Sequence, residues 1–203
     1  GVCAVALERN PEAARAIVAR GHEINAHGYR WEEHFAMTRD EERERIRLAI
    51  ASIEATTGQR PYGWYSRTAP SVNTRELLVE EGGFVYDSDA YNDDVPYFVQ
   101  VDGKRHVVVP YTGDVNDSHF WAANGYETDF GTYLRDTFDV LHAESARYPR
   151  MMSIGLHMRI AGRPGRIKAV DEFLRYARER EGVWFATRLE IAQAFKHAMD
   201  AQR

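Results

Sequence analysis

The sequence predicts an α/β domain, and three observations carry the prediction. Short apolar runs alternate with amphipathic segments along nearly all of the 203 residues. Helix start and stop signals bracket the amphipathic segments, and polar residues recur at the C-terminal ends of the apolar runs. Such alternation implies parallel strands joined by crossover helices, a fold that presents reactive side chains where its strands end. Apolar residues make up 44% of the chain and aromatics 12%, enough for a substantial core. No internal repeat, low-complexity tract or linker interrupts the pattern, so residues 1–203 read as one domain.

In order, Val2 to Leu7 (VCAVAL) reads as a buried strand. A chain that opens in mid-core on Gly1 is expected to lack a preceding strand. Asn10-Pro11 gives an N-cap and a first-turn proline for a helix ending at Gly21. Glu23 to Ala26 is a short strand ending at His27, followed by a polar loop. Thr38 with Glu41 forms a capping box for a helix through Ile46, Ala49, Ile50 and Ile53, stopped by Gly58. Tyr62 to Tyr65 is a strand leading to Arg67, and Asn73 with Glu76 reads as a second capping box for a helix ending at Gly82-Gly83. Phe84 to Tyr86 is a strand running into an acidic loop. Val99 to Pro110 is a hairpin turned at Asp102-Gly103, and the polar loop from Tyr111 to Phe120 follows. A helix from about Gly131 to Ala146, an apolar strand from Met151 ending at His157 and a helix from about Pro164 to Arg180 come next. Val183 to Ala186 reads as a last strand, and Thr187 with Glu190 caps the C-terminal helix.

The net charge of −5 argues against a general nucleic-acid binder. No apolar run approaches the ~20 residues that span a bilayer, and no signal peptide is visible. One cysteine, Cys3, excludes an intrachain disulfide. These features favour a reducing cytoplasm, although a processed exported protein would read the same way.

Among candidate reactive groups His157 stands first, because a histidine exchanges protons near neutral pH and three arginines, Arg159, Arg163 and Arg166, follow it closely. A cationic loop beside a histidine suits an anionic or carbonyl-rich substrate; salt bridges would explain the arginines equally well. His27 ends a strand beside Gly28, but the position four residues on is Trp31, so no H-x-x-x-H metal pair is formed. His34, seven residues on, reads as a solvated loop residue. Arg67 could pair with a buried carboxylate or face solvent. The acidic loop Asp87, Asp89, Asn92, Asp93 and Asp94 lacks the spacing of a calcium loop and reads as side chains capping turns. Asp87 and Asp114, ending other strands, are expected at the rim of a cleft. Parallel strands would bring His27, Arg67 and His157 to one end of the sheet.

In order, GHEINAHGYRW, RTAPSVNT and SIGLH resemble the second, third and fifth motifs of the polysaccharide deacetylase (NodB-homology) family. More specifically, HGYRW, YDSDAYNDD, VVPYTGDVND and SIGLHMRIAGRPGR are similar to the branch containing the metal-independent allantoinases of purine catabolism. The resemblance covers nearly the whole chain. It implies a distorted (β/α) barrel, here without its N-terminal strand, that hydrolyses C–N bonds of amides. It also implies a first motif, ahead of residue 1, whose aspartate is the catalytic base. His27 matches the first histidine of the family's metal site and Trp31 stands in place of the second, so neither metal nor other cofactor is expected. The resemblance makes His157 the acid and Arg67 the group that orients the base. His27, Trp31, Asp87, Asp114, Arg159 and Arg163 are then candidate substrate contacts. The expected substrate is a small amide or ureide, and the expected assembly a homo-oligomer with neither nucleic-acid nor membrane partners. Two other functions remain open: a metal-dependent deacetylase of N-acetyl sugars (chitooligosaccharide or peptidoglycan), and a catalytically silent binding module.

Overall fold

The computed structural model describes residues 1–121 and 129–201. In chain order the elements are α1 (Ala4–Glu8), α2 (Pro11–Ala19), a 3-10 turn (His34–Ala36), α3 (Arg39–Thr57), β1 (Gly63–Trp64), α4 (Thr74–Glu81), β2 (Tyr86–Asp87), β3 (Tyr97–Val101) and β4 (Lys104–Val108). There follow α5 (Asp117–Phe120), α6 (Phe130–Glu144), α7 (Met158–Ala161), α8 (Pro164–Arg178) and α9 (Arg188–Asp200). They form two compact units: Gly1–Ala90, Pro96–Pro110 and Ala186–Arg203 make the first, Tyr91–Val95 and Tyr111–Phe185 the second. Among the described residues no helix is long and apolar enough to cross a membrane.

The first unit is built on a mainly parallel sheet of order β1-β2-β4-β3. β1 pairs with β2 and β2 with β4 in parallel, and β3 returns antiparallel to β4. Ala26 bridges Val2 on one side and Trp64 on the other, both in parallel, which extends the ladder beyond β1. The β3–β4 turn falls at Asp102-Gly103 as the sequence predicts, with both residues at positive φ (48° and 75°), the backbone a two-residue hairpin turn requires. Around the sheet, Ile46, Ala49, Ile50 and Ile53 of α3 pack into one core with Ala4, Leu7, Trp64, Leu77 and Phe84. The expected capping box starts α3: Thr38 accepts from the Glu41 amide and the Glu41 side chain accepts from Thr38, while Gly58 closes the helix at φ 70°.

In the second unit, Asn116 bridges Gly155 in parallel. Its core joins Phe120, Phe130, Leu134 and Phe138 to Val170 and Phe173 on α8.

Several expected elements differ. Val2 to Leu7 is not a strand: Val2 alone pairs, and α1 follows at once. Ala4, Ala6 and Leu7 favour a helix. Ala4 and Leu7, one turn apart, bury against the core, while the amides of Ala4 and Val5 donate to the carbonyls of Gly28 and Tyr29. The Asn73–Glu76 capping box does not form. Asn73 has helical φ and ψ, and Glu76 instead pairs with Arg39 at 2.7 Å. Val183 to Ala186 forms no strand, because it finds no ladder partner among the described residues. Met151 to Leu156 is strand-like only at Gly155.

Candidate functional site

The first unit carries His27, Trp31, Arg67 and Asp87. His27 follows the Ala26 bridge and Arg67 follows β1, so both lie where parallel strands end. The His27 ring stacks on Tyr65, 5.0 Å away and nearly coplanar, and its Nδ1 lies 2.5 Å from the Tyr65 carbonyl oxygen. That carbonyl can only accept, so Nδ1 carries a proton. Trp31 is 57% exposed, with the Arg67 guanidinium 4.2 Å from its ring centroid. Arg67 also donates to the Trp31 carbonyl at 3.4 Å and faces Glu33 at 3.6 Å. Its Nε is buried without a hydrogen-bond partner among the described residues.

These donors do not fit the metal that the sequence resemblance would bring. One imidazole at His27 and an indole at Trp31, which offers no lone pair, do not make a zinc site. Among the described residues no three His, Cys, Asp or Glu side chains converge as ligands.

Two expectations fail here. Asp87 is not at an accessible rim: it is 1% exposed, with both oxygens engaged by Arg75 (2.7 and 3.0 Å) and His106 donating to it at 2.9 Å. Burial, the largest single influence, pushes its carboxyl up, but the hydrogen bonds from His106 and Arg75 and the Arg75 charge together hold it below the usual range. His34 is not solvated. It is 1% exposed, edge-on to Trp64, with Nδ1 3.3 Å from the fully buried Glu42, which also accepts from the hydroxyls of Ser71 and Thr74. The acidic loop is also more than turn capping. Asp89 accepts from the Ser66 amide and hydroxyl, both at 2.7 Å, and burial, then the neighbouring Asp87 charge, pushes its carboxyl up to about 7.

A cleft of about 460 Å³ in this unit lies at the other end, beside the residues that precede the strands, among them Glu23, Arg60 and Tyr62. Glu23 is occupied there by the Tyr86 hydroxyl and the Leu189 amide. His22 lines it, but His27 and Arg67 do not.

The second unit carries His157, Asp114, Arg159 and Arg163. His157 stands at the N-cap of α7, and its Nδ1 lies 2.6 Å from Oδ1 of Asp117. Asp117 is fully buried, and its other oxygen accepts from the amides of His157 (2.7 Å) and Ala161 (3.2 Å). This carboxylate therefore fixes both the ring and the backbone that carries it. Nδ1 donates, and Nε2, without a hydrogen-bond partner among the described residues, belongs to a side chain 32% exposed. Gly155 supports the arrangement from below: a Cβ there would lie 1.9 Å from the Tyr111 hydroxyl and 2.7 Å from the Asn116 amide nitrogen. Asp114 is exposed and accepts from the Tyr133 hydroxyl at 3.2 Å. Arg159 and Arg163 are exposed, whereas Arg166 lies over Trp121, 5.1 Å from its centroid. Asp117 was not singled out in the sequence. It lies within VVPYTGDVND, but its partner is 40 positions away and nothing local marks the pairing.

Comparison with known proteins completes the picture. The family profile "Polysaccharide deacetylase" matches residues 2–79. A Schizosaccharomyces pombe protein carrying a polysaccharide deacetylase name is 38% identical, over 97% of this chain and 68% of its own length. The crystal structure of Puue allantoinase is 49% identical with a TM-score of 0.87, covering 94% of this chain and 64% of its own. A Pseudomonas aeruginosa PAO1 structure with a polysaccharide deacetylase name is also 49% identical, with a TM-score of 0.88, covering 94% and 65%. The chain spans just under two thirds of these two solved chains, and its mixed α/β fold is theirs.

Proposed function

The chain belongs to the polysaccharide deacetylase family, and from that premise we propose that it hydrolyses a C–N bond of a cyclic amide of the ureide class. The observation that carries the reading is the Asp117–His157 pair. Amide hydrolysis adds water to a carbonyl through a tetrahedral oxyanion, then expels a nitrogen that must be protonated as it leaves. A histidine with Nδ1–H anchored on a buried carboxylate and its side chain 32% exposed is suited to deliver that proton. Asp117 stabilises the imidazolium that precedes the transfer. Arg67, with its buried Nε short of an acceptor, is the side chain to orient a carboxylate base. Trp31, His27, Asp114, Arg159 and Arg163 are proposed substrate contacts, and a homo-oligomer is the proposed assembly. The similarity to an allantoinase favours a ureide ring, and Trp31 at the second histidine position argues against a route through a metal.

The test is turnover by the intact protein of allantoin, read as ring opening, and of N-acetyl chitooligosaccharide, read as acetate release, each with and without a chelator. Ring opening that survives chelation is expected. His157→Ala should lower kcat about 100- to 10,000-fold with little change in KM, because proton donation acts in the transition state. Chelator-sensitive acetate release without ring opening would replace the reading with a sugar deacetylase. No turnover of either substrate would favour a silent binding module.

A further inference from the structure

We infer that Asp89 is the positioning residue for Arg67: through Ser66 it clamps the backbone turn that presents the arginine after β1. The inference rests on the reading of Arg67 as the side chain that orients the base. The Asp89 carboxyl takes both donors of Ser66, the amide at Oδ1 and the hydroxyl at Oδ2, each at 2.7 Å. Ser66 is 1% exposed, and its hydroxyl also accepts from the indole N–H of the fully buried Trp64 at 2.9 Å. Asp89 is itself held, its amide donating to Oδ1 of Asp87 at 3.0 Å. Backbone pairing at the end of β1 and β2 stops where the Ser88 amide donates to the Trp64 carbonyl at 2.8 Å. One more parallel rung would send the Ser66 amide to the Ser88 carbonyl. The Asp89 side chain takes it instead, so a carboxyl, not the sheet, sets the path of the chain into Arg67.

Arg67 lies between this clamp and a strained turn. Thr68 has φ 62°, and the Ala69 amide donates back to the Arg67 carbonyl at 2.7 Å, the three-residue γ-turn that is rare because it is strained. A β-branched side chain makes positive φ costly, where glycine would not. Such a turn persists only when its surroundings over-determine it, and backbone outliers of this kind gather at functional sites. The clamp supplies the constraint ahead of Arg67, while the guanidinium reaches the Trp31 carbonyl at 3.4 Å and Glu33 at 3.6 Å. Satisfying the Ser66 amide alone would need only a neutral acceptor. A carboxyl set against Asp87 is the costlier choice, because like charges at close range oppose each other. What it gains is a two-point hold on the residue before Arg67.

A double-mutant cycle in the intact protein tests this, with Asp89→Ala and Arg67→Ala alone and together and a melting curve on each. A displaced arginine costs turnover more than binding, so Asp89→Ala should lower kcat for allantoin ring opening about 10- to 100-fold with KM within about threefold. Added to Arg67→Ala, the same substitution should cost less than about threefold, because its effect passes through a side chain already removed. Ser66→Ala, which deletes only the hydroxyl half of the clamp, should show a smaller loss with the same dependence on Arg67, and it carries the cycle if Asp89→Ala does not fold. Losses that add in full, or an unchanged kcat, overturn the inference. Amide hydrogen exchange reads the clamp without turnover. The Ala69 amide, which closes the turn, should exchange at least about tenfold faster in the clamp variants while the β3–β4 amides keep their rates. Ala69 exchange equal to the wild type, or a rise shared by β3 and β4, overturns the clamp whatever the kinetics. The reaction reading fails separately. Ala69 exchange that depends on Asp89 in a protein without ring opening would leave the clamp standing and remove the hydrolase, whereas ring opening with Ala69 exchange indifferent to Asp89 would do the reverse.

Discussion

Asp117 decides what His157 can do. One oxygen takes the imidazole Nδ1–H and the other takes two backbone amides, so ring, N-cap and α7 share a single buried anchor. In Asp117→Asn the amide nitrogen cannot accept from Nδ1–H, and the charge that stabilises an imidazolium is gone. The expected outcome in steady-state kinetics is a fall in kcat of about 100- to 10,000-fold with KM little changed. A variant that keeps normal turnover would strip Asp117 of its positioning role. Gly155 makes a second residue-scale prediction. Gly155→Ala puts a methyl into the Tyr111 hydroxyl and the Asn116 amide. Over-packing of this kind costs about 1–3 kcal/mol, measurable by denaturant unfolding, and displaces the segment just ahead of His157.

Helices were more legible in the sequence than strands because their signals are local. Thr38 with Glu41 and Thr187 with Glu190 each form the box that their spacing implies. A strand exists only where a neighbour pairs with it. VCAVAL and the run after Gly182 look alike in composition, and neither finds a ladder along its length. The box written into Asn73 and Glu76 lost its glutamate to Arg39, which sits 37 positions away at 2.7 Å. Near the candidate site the position of Arg67 after β1 is legible in the sequence, whereas Asp117 beside His157 and the burial of His34 depend on contacts that composition does not encode. The His34–Glu42 pair joins elements the sequence treats separately: the 3-10 turn, α3 and the start of α4. Glu42→Ala would leave His34, Ser71 and Thr74 short of an acceptor in a buried setting. Unsatisfied buried groups cost ~1–3 kcal/mol each, so a loss of at least about 3 kcal/mol is expected in urea unfolding. A loss below about 1 kcal/mol would mean that the network is replaceable by water or repacking.

Across the whole molecule the buried carboxylates set opposing pH dependences. Glu42 and Asp87 titrate below their ordinary 4.5 and 3.8, because hydrogen bonds, and at Asp87 also the Arg75 charge, favour their charged forms despite burial. The unfolded chain therefore takes up protons at these two sites first, and their contribution to stability is lost as pH falls through the acid range. Asp89 runs the other way, raised from 3.8 to about 7 by burial and by the neighbouring Asp87 charge. Between those values the folded chain keeps a proton that the unfolded chain has released. Its contribution to stability is complete below 3.8 and fades as pH rises to about 7. The sum predicts a melting temperature that peaks in mildly acidic solution and declines toward neutrality. Asp89→Asn keeps an acceptor for the Ser66 amide and removes the charge, so the decline between pH 3.8 and about 7 should be largely abolished. Melting curves across that range on both proteins decide the matter. If wild type and variant fall in parallel, Asp89 is ionised throughout in the folded chain and its proximity to Asp87 is screened.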